Sequence, residues 1–561
     1  MRETVEQLVS DALAAAIVAG ELTLDSIVAP EPAVERPRDA SHGDWASTIA
    51  LRLAKVAGKN PREIAGIIAS HINESADIAE VEIAGPGFIN MRLSHSAQMR
   101  IVRDVREQDR AYGSSGIGEG KRVQIEFVSA NPVGPLHVGH GRWAALGDSM
   151  ARILAHTGHR VAREFYINDA GVQMETFGTS LSVRYLQLCG VDVEMPEHGY
   201  QGAYIADLAQ TIKDDVGDTW VDVSEQDRED YFRERGYKEV LAHLREFLSS
   251  IGVDFDVWFS ERTLYEGDPN AVEQAIQVLR DAGFIYEDEG AVWFRTTDFG
   301  DDKDRVLVKA DGAYTYFAPD IAYHKDKFDR GFDRVINIWG ADHHGYVARM
   351  KAACTALGYP DALDVVIGQL VNVLRDGKPV RMSKRTGEMI TFEELVDEVG
   401  ADATRYWFLR RDTDQQVDFD IAVAVEQSAE NPIYYVQYAY ARICSIIHKI
   451  YDKDETADVL IAHLPFDIDL SSLTEPSELA LVRKLSEFPD VVDLASRDLA
   501  PFKLAYYCEE LAAAFHHFYA HCRVVDEDGG ANEARLYLCD ATRRTLRTGF
   551  DLLGIAAPER M

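Results

Sequence analysis

Apolar residues recur along this chain in three rhythms, and the changes of rhythm divide it. Over residues 1–110, helical spacing at the start and again around residues 45–55 gives way to the turn Gly85-Pro86-Gly87, which feeds the alternating run Phe88-Ile89-Asn90-Met91-Arg92-Leu93. That pattern predicts a small α+β domain. The glycine- and serine-rich residues 112–120 read as a linker. From 121 to 390 short apolar runs alternate with helical patterns: 123–128, a helix with Leu146, Met150, Ile153 and Leu154 on one face, 161–167, and a helix after Asn168-Asp169-Ala170-Gly171. Further runs lie at 253–259, 335–339 and 364–370, and Asp311-Gly312 between 306–309 and 313–317 predicts a hairpin. Alternation of this kind predicts an α/β fold, a doubly wound, Rossmann-like parallel sheet whose ligand site lies at the carboxyl ends of its strands. A connecting segment, 391–430, leads to residues 431–561, whose long patterns rich in Leu, Ala, Tyr and Phe predict an α-helical bundle.

With 561 residues the chain is long enough for about three or four domains. It has no apolar run able to span a bilayer, and its first residues read as an amphipathic helix rather than a secretory signal, so a cytoplasmic protein without a membrane partner is expected. Six cysteines are scattered without a Cys-x-x-Cys pair, which argues against a zinc ribbon or a disulfide framework and for buried thiols. The 58 basic and 94 acidic residues leave a net charge of −36, which argues against indiscriminate binding to nucleic acid but leaves room for a local basic surface. Any polyanionic partner must meet clustered Arg and Lys against an unfavourable field, with a strong salt dependence.

The richest local signal is Ser129-Ala130-Asn131-Pro132-Val133-Gly134-Pro135-Leu136-His137-Val138-Gly139-His140, between a strand and a helix. His137 and His140 fall near the helix N-terminus, where unpaired backbone N–H groups attract phosphate. Gly139 removes a side chain between them so that a base or ribose can approach, and the imidazoles can donate to phosphate oxygens. Two histidines one turn apart could instead decorate a helix end or bind a metal, but no third ligand at suitable spacing accompanies them. Arg381-Met382-Ser383-Lys384-Arg385-Thr386-Gly387 gathers cations on a polar loop, from which Lys384 could reach the β- and γ-phosphates of a nucleotide. Alone, such a stretch reads as a solvated basic loop.

Together these stretches resemble the two signatures of class I aminoacyl-tRNA synthetases, called HIGH and KMSKS. His137-Val138-Gly139-His140 matches the first; in the second, Arg381 and Arg385 replace the first Lys and the final Ser while Lys384 is kept. Within the class, the chain resembles arginyl-tRNA synthetases along nearly its whole length, through Glu126-Phe127-Val128-Ser129-Ala130-Asn131-Pro132, Tyr166-Ile167-Asn168-Asp169-Ala170-Gly171, Tyr316-Phe317-Ala318-Pro319-Asp320, Gly340-Ala341-Asp342-His343-His344 and Tyr434-Tyr435-Val436-Gln437-Tyr438-Ala439. The resemblance implies ligation of L-arginine to tRNA(Arg) through an arginyl-adenylate, with tRNA needed for the first step. ATP would be used as its Mg2+ complex, with no tightly bound metal, by a monomer.

The residues this implies follow the chemistry of the substrates. ATP would be held by His137, Gly139, His140, Met382, Ser383 and Lys384, with His137, His140 and Lys384 acting catalytically on the charge that develops at the α-phosphate. A guanidinium is planar, permanently charged and carries five donors, so it calls for carboxylates in its plane and an aromatic wall. Glu126, Asn131, Tyr316 and Asp320 match arginine-binding positions, with His344 nearby. Read singly, Glu126 could face solvent, Asn131 could cap a turn, Tyr316 could be core and Asp320 a helix cap. Cations and aromatic planes for unpaired bases are offered by Arg523, Arg535, Arg543, Arg544 and Arg547 with Tyr519 and Tyr537, of which Arg523, Arg543 and Arg547 are expected to touch tRNA. Residues 1–110 resemble a domain that contacts the tRNA elbow. A small-molecule nucleotidyltransferase and a silent RNA-binding paralogue are the rival readings.

Overall fold

Five strands of the middle segment form one sheet in the order Leu363–Gly368, Arg334–Gly340, Arg122–Glu126, Arg160–Ile167 and Val257–Ser260, and every neighbouring pair is parallel. They belong to a computed structural model that describes residues 1–24, 33–37, 39–72, 75–380, 390–526 and 530–561. Strand order runs outward in both directions from Arg122–Glu126, the earliest strand in sequence, so the winding reverses between it and Arg334–Gly340. In doubly wound sheets that reversal opens a ligand crevice at the carboxyl ends. Register sets Glu126 beside Asn337 on one side and Glu164 on the other. Val123 and Ile125 are buried on one face of the first strand, whereas Gln124 and Glu126 are buried on the other. A polar layer therefore lies inside the fold, covered by the helix Phe317–Asp329.

Several elements differ from the sequence expectation. The strand expected at 253–259 is shorter, Val257–Ser260. Asp311-Gly312 does turn tightly, with Gly312 at φ +87° and Lys309 N–H donating to Ala313 O at 2.8 Å, but only one arm is a strand. The other arm makes a single bridge, Tyr314 to Val308, before helix Phe317–Asp329 begins. The strand arm, Arg305–Val308, instead joins Ala291–Phe294 and Ile285–Asp288 in an antiparallel sheet that the spacing did not predict. Segment 391–430 holds helices Phe392–Val399 and Ala401–Leu409, then strand Val417–Asp420, which pairs in parallel with Val371–Arg375.

The amino-terminal residues form an antiparallel sheet in the order Val34–Glu35, Trp45–Ser47, Phe88–Leu93 and Ile78–Ala84, packed with helices Arg2–Val18, Ile49–Ala57 and Pro61–Ile72. At the other end, helices Pro432–Tyr451, Pro476–Asp498, Phe502–His521 and Glu533–Leu553 pack through Ile443, Leu485, Leu511, Leu546 and their neighbours. All six cysteines are free, and all but Cys189 are buried. Among the described residues no helix is long and apolar enough to cross a membrane.

Candidate active site

The site begins where strand Arg122–Glu126 ends. Val128 (φ +69°) and Ser129 (φ +39°) are both left-handed, a conformation that costs a β-branched residue roughly 1–3 kcal/mol. Two hydrogen bonds hold the kink: Ser129 Oγ donates to Glu126 Oε1 at 2.8 Å, and Tyr166 N–H donates to Ser129 Oγ at 3.2 Å. The chain then crosses the carboxyl edge of the sheet and enters helix Val138–His156, with His137 as its N-cap. His140 N–H donates to His137 Nδ1 and His137 N–H to His140 Nδ1, each at 3.3 Å, so the two imidazoles form a reciprocal cap. Their rings stack with centroids 3.7 Å apart, and Trp143 lies edge-on to both. Gly139 serves this arrangement directly, because a Cβ there would lie 2.9 Å from His137 Cε1.

Met382, Ser383 and Lys384 lie outside the described residues. Both flanks of that segment are tied to the start of the histidine helix. Past it, Phe392 N–H donates to Leu136 O at 2.8 Å and Thr391 bridges to His137. Before it, the strand pair starting at Val371 and Val417 is held by the buried Arg142, which donates to Gln369 O and Gln415 O at 2.8 Å and to Asp412 O at 2.7 Å.

Beside the histidine helix, the polar layer opens into a cluster of carboxylates. Glu126 is buried and accepts from Lys327 Nζ at 2.6 Å as well as from Ser129. Asp320, in the first turn of helix Phe317–Asp329, accepts from Tyr346 hydroxyl at 2.6 Å. Burial pushes the Asp320 carboxyl up to about 7; Glu126 and Glu261 reinforce the rise, while Tyr346 and Lys327 moderate it. Glu261 is itself raised, first by burial, and accepts from Tyr265 hydroxyl at 3.1 Å. A buried carboxyl whose proton affinity is raised by burial and by neighbouring carboxylates is poised for a cation.

Of the residues expected to hold arginine, Glu126 and Asp320 come together here. Asn131 is partly buried in the loop before the histidines. Tyr316 caps helix Phe317–Asp329 with 90% of its surface exposed, and His344 is exposed in the turn Ala341–Tyr346. The expected aromatic wall at Tyr316 is therefore absent from this structure; the rings that meet the carboxylates belong to Tyr166, Tyr265 and Tyr346. Sequence reasoning missed Glu261, Tyr346 and Lys327. A signal existed for Lys327, which is seven residues after Asp320 and so on the same helical face.

Residues 102–442 match the family described as tRNA synthetases class I (R), catalytic domain. Residues 3–93 match the arginyl tRNA synthetase N terminal domain, and 436–561 the DALR anticodon binding domain. The arginine–tRNA ligase of Oceanobacillus iheyensis is 46% identical over 562 residues, covering 100% of this chain and 99% of its own. The chain belongs to the arginine–tRNA ligase family. A second ligase of that family, from Moorella thermoacetica, is 48% identical over 98% of this chain and 97% of its own. The solved arginyl-tRNA synthetase of Thermus thermophilus shares the fold, with a TM-score of 0.73 over 100% of both chains at 23% identity.

In this ligase the carboxyl-terminal arginines divide by burial. Arg523 is exposed just past helix Phe502–His521. Arg543 and Arg547, also expected to touch RNA, are internal: Arg543 is 0% exposed and pairs with Asp540 and Asp458, and Arg547 pairs with Asp458 and Asp109. Buried and ion-paired, they hold helices together and offer RNA almost no surface in this structure.

Proposed function

We propose that this protein ligates L-arginine to tRNA(Arg) at the expense of ATP, as a monomer in the cytoplasm. The observation that carries this reading is the carboxylate cluster of Glu126, Asp320 and Glu261 beside an imidazole-capped helix, at the point where the sheet's winding reverses. One end suits a guanidinium and the other suits phosphates.

The arginine carboxylate attacks the α-phosphorus of MgATP, the bond to the β-phosphate oxygen breaks, and pyrophosphate leaves with its electron pair. His137, His140 and Lys384 stabilise the charge at phosphorus. The terminal ribose hydroxyl of tRNA then attacks the adenylate carbonyl, AMP departs, and no side chain becomes covalently linked, so orientation supplies much of the rate. Carboxylates set for a planar, charged guanidinium are matched neither by the point charge of lysine nor by the neutral urea of citrulline, which penalises both at the binding step with no editing site required. Arg523 and the helical carboxyl-terminal domain face the anticodon arm, and residues 1–110 the tRNA elbow.

The test is aminoacylation of total tRNA with each amino acid in turn. Only arginine is expected to be attached, and preferential attachment of any other amino acid rejects the reading. Lys384→Ala is expected to slow ATP–pyrophosphate exchange about 10- to 100-fold, the loss of one hydrogen bond to a charged group, with tRNA affinity unchanged. A tRNA-binding defect alone contradicts the role given to Lys384.

The raised carboxyl of Asp320 adds a pH signature. Below about 7 the empty pocket holds a proton that the guanidinium must expel, so the arginine KM rises as pH falls, by up to about tenfold per unit. Above it the carboxylate is ready and the KM is flat. Exchange assays from about pH 5.5 to 8.5 check this, and a flat profile across that range contradicts it.

A further inference from the structure

Beneath the carboxylate cluster, helix Phe317–Asp329 presents Asp320, His324 and Lys327 on one face, toward the polar layer of the sheet. Lys327 has no exposed side-chain surface and so cannot touch substrate. Its ammonium donates to Glu126 Oε2 at 2.6 Å and to Asn337 Oδ1 at 2.9 Å, and lies 4.2 Å from the centre of the Tyr323 ring. Asn337 passes the connection on, with its Nδ2 2.8 Å from His324 Nε2. The other ring nitrogen of His324, Nδ1, lies 2.8 Å from the backbone carbonyl of Asp320. Burial, reinforced by Lys327, pushes His324 down to about 3, so the ring is neutral. Its proton then sits on Nδ1, donated to Asp320 O, while Nε2 accepts from the Asn337 amide. One ammonium thus fixes the Glu126 carboxylate directly and, through Asn337 and His324, the turn that carries Asp320.

We propose that Lys327 is a positioning residue for recognition of the substrate guanidinium, holding Glu126 aimed while registering Asp320 against it. The proposal rests on the reading of this cluster as the arginine pocket. Without Lys327, Glu126 is a buried carboxyl with no cation, and Asn337 Oδ1 loses its donor. Removing one partner of a buried pair costs far more than removing both, because the survivor stays desolvated and uncompensated.

The test uses the full chain in tRNA-dependent ATP–pyrophosphate exchange with Lys327→Met, Glu126→Gln and the double variant. Lys327→Met is expected to raise the arginine KM about 10- to 100-fold, with kcat at saturating arginine and the ATP KM within about twofold of wild type. The double variant should be no worse than Glu126→Gln alone, because both act on one pair. Strictly additive losses, a parallel rise of both KM values, or no change with Lys327→Met each overturn the proposal. If Glu126→Gln itself leaves the arginine KM unmoved, the pocket reading falls instead. Lys327→Gln, which keeps a donor without charge, guards against misfolding and should show the same split of KM values; loss of cooperative melting in both lysine variants overturns the proposal in favour of a purely structural role.

Discussion

Asp320→Ala is expected to lower kcat/KM for arginine about 30- to 5,000-fold, the effect of truncating one partner of a buried charged contact, while the ATP KM stays near wild type. The two substrates are held by different elements. On the proposed reading phosphates meet the amino-terminal turn of helix Val138–His156, whereas Asp320 sits on helix Phe317–Asp329, where it accepts from Tyr346. Asp320→Asn keeps the shape and can still accept from Tyr346 hydroxyl, but it offers no charge and turns an amide N–H toward a cation that has only donors. It should therefore be little better than Ala. Exchange assays with arginine and ATP varied separately distinguish the outcomes. Equal loss for both substrates would assign Asp320 to the scaffold of the site.

The parts of this site that could be read in the sequence are those whose signal is local. His137 and His140 announce a helix start because the strand, the turn residues and the helical face all lie within one stretch of chain, and the parallel sheet follows from alternation of short apolar runs with helical ones. Glu126 and Asp320 stand out as acids at a strand end and a helix start, and the family resemblance assigns them a ligand. What surrounds them was not legible, because it is assembled from distant segments: the cation on Glu126 comes from 201 positions away and the hydroxyl on Asp320 from 26. Tyr316 has the right spacing from Asp320, yet as the N-cap it precedes the first helical turn and points to solvent. The antiparallel sheet around Ala291–Phe294 has strands of four residues, too short for alternation to register.

Arg543 shows the same limit from the other side, because an arginine inside an amphipathic helix reads as a surface residue until its partners are known. Here Arg543 Nη2 donates to Asp540 Oδ1 at 2.7 Å and to Asp458 Oδ1 at 2.6 Å. Asp540 has no exposed side-chain surface and also pairs with Arg544 and Arg106, while Asp109 receives Arg544 and Arg547. The network therefore ties helix Glu533–Leu553 to helix His95–Gln108 and to the turn Asp109–Ala111 after it. Burial alone pushes the Asp540 carboxyl up, but Arg543, Arg544 and Arg106 outweigh it and hold the carboxyl below the ordinary range. Its stabilising contribution is thus complete above about pH 4 and lost as acid drives protons onto it in the folded state. Arg543→Met is expected to destabilise the protein by about 3–5 kcal/mol, because a buried Asp540 loses much of its compensation. Arg523→Ala, at an exposed position, should leave the melting temperature unchanged, weaken tRNA binding and reduce the salt slope by about one ion. Thermal melts paired with tRNA titrations at several salt concentrations separate the two. Normal stability with lost tRNA affinity in Arg543→Met would show that the buried network opens to RNA after all.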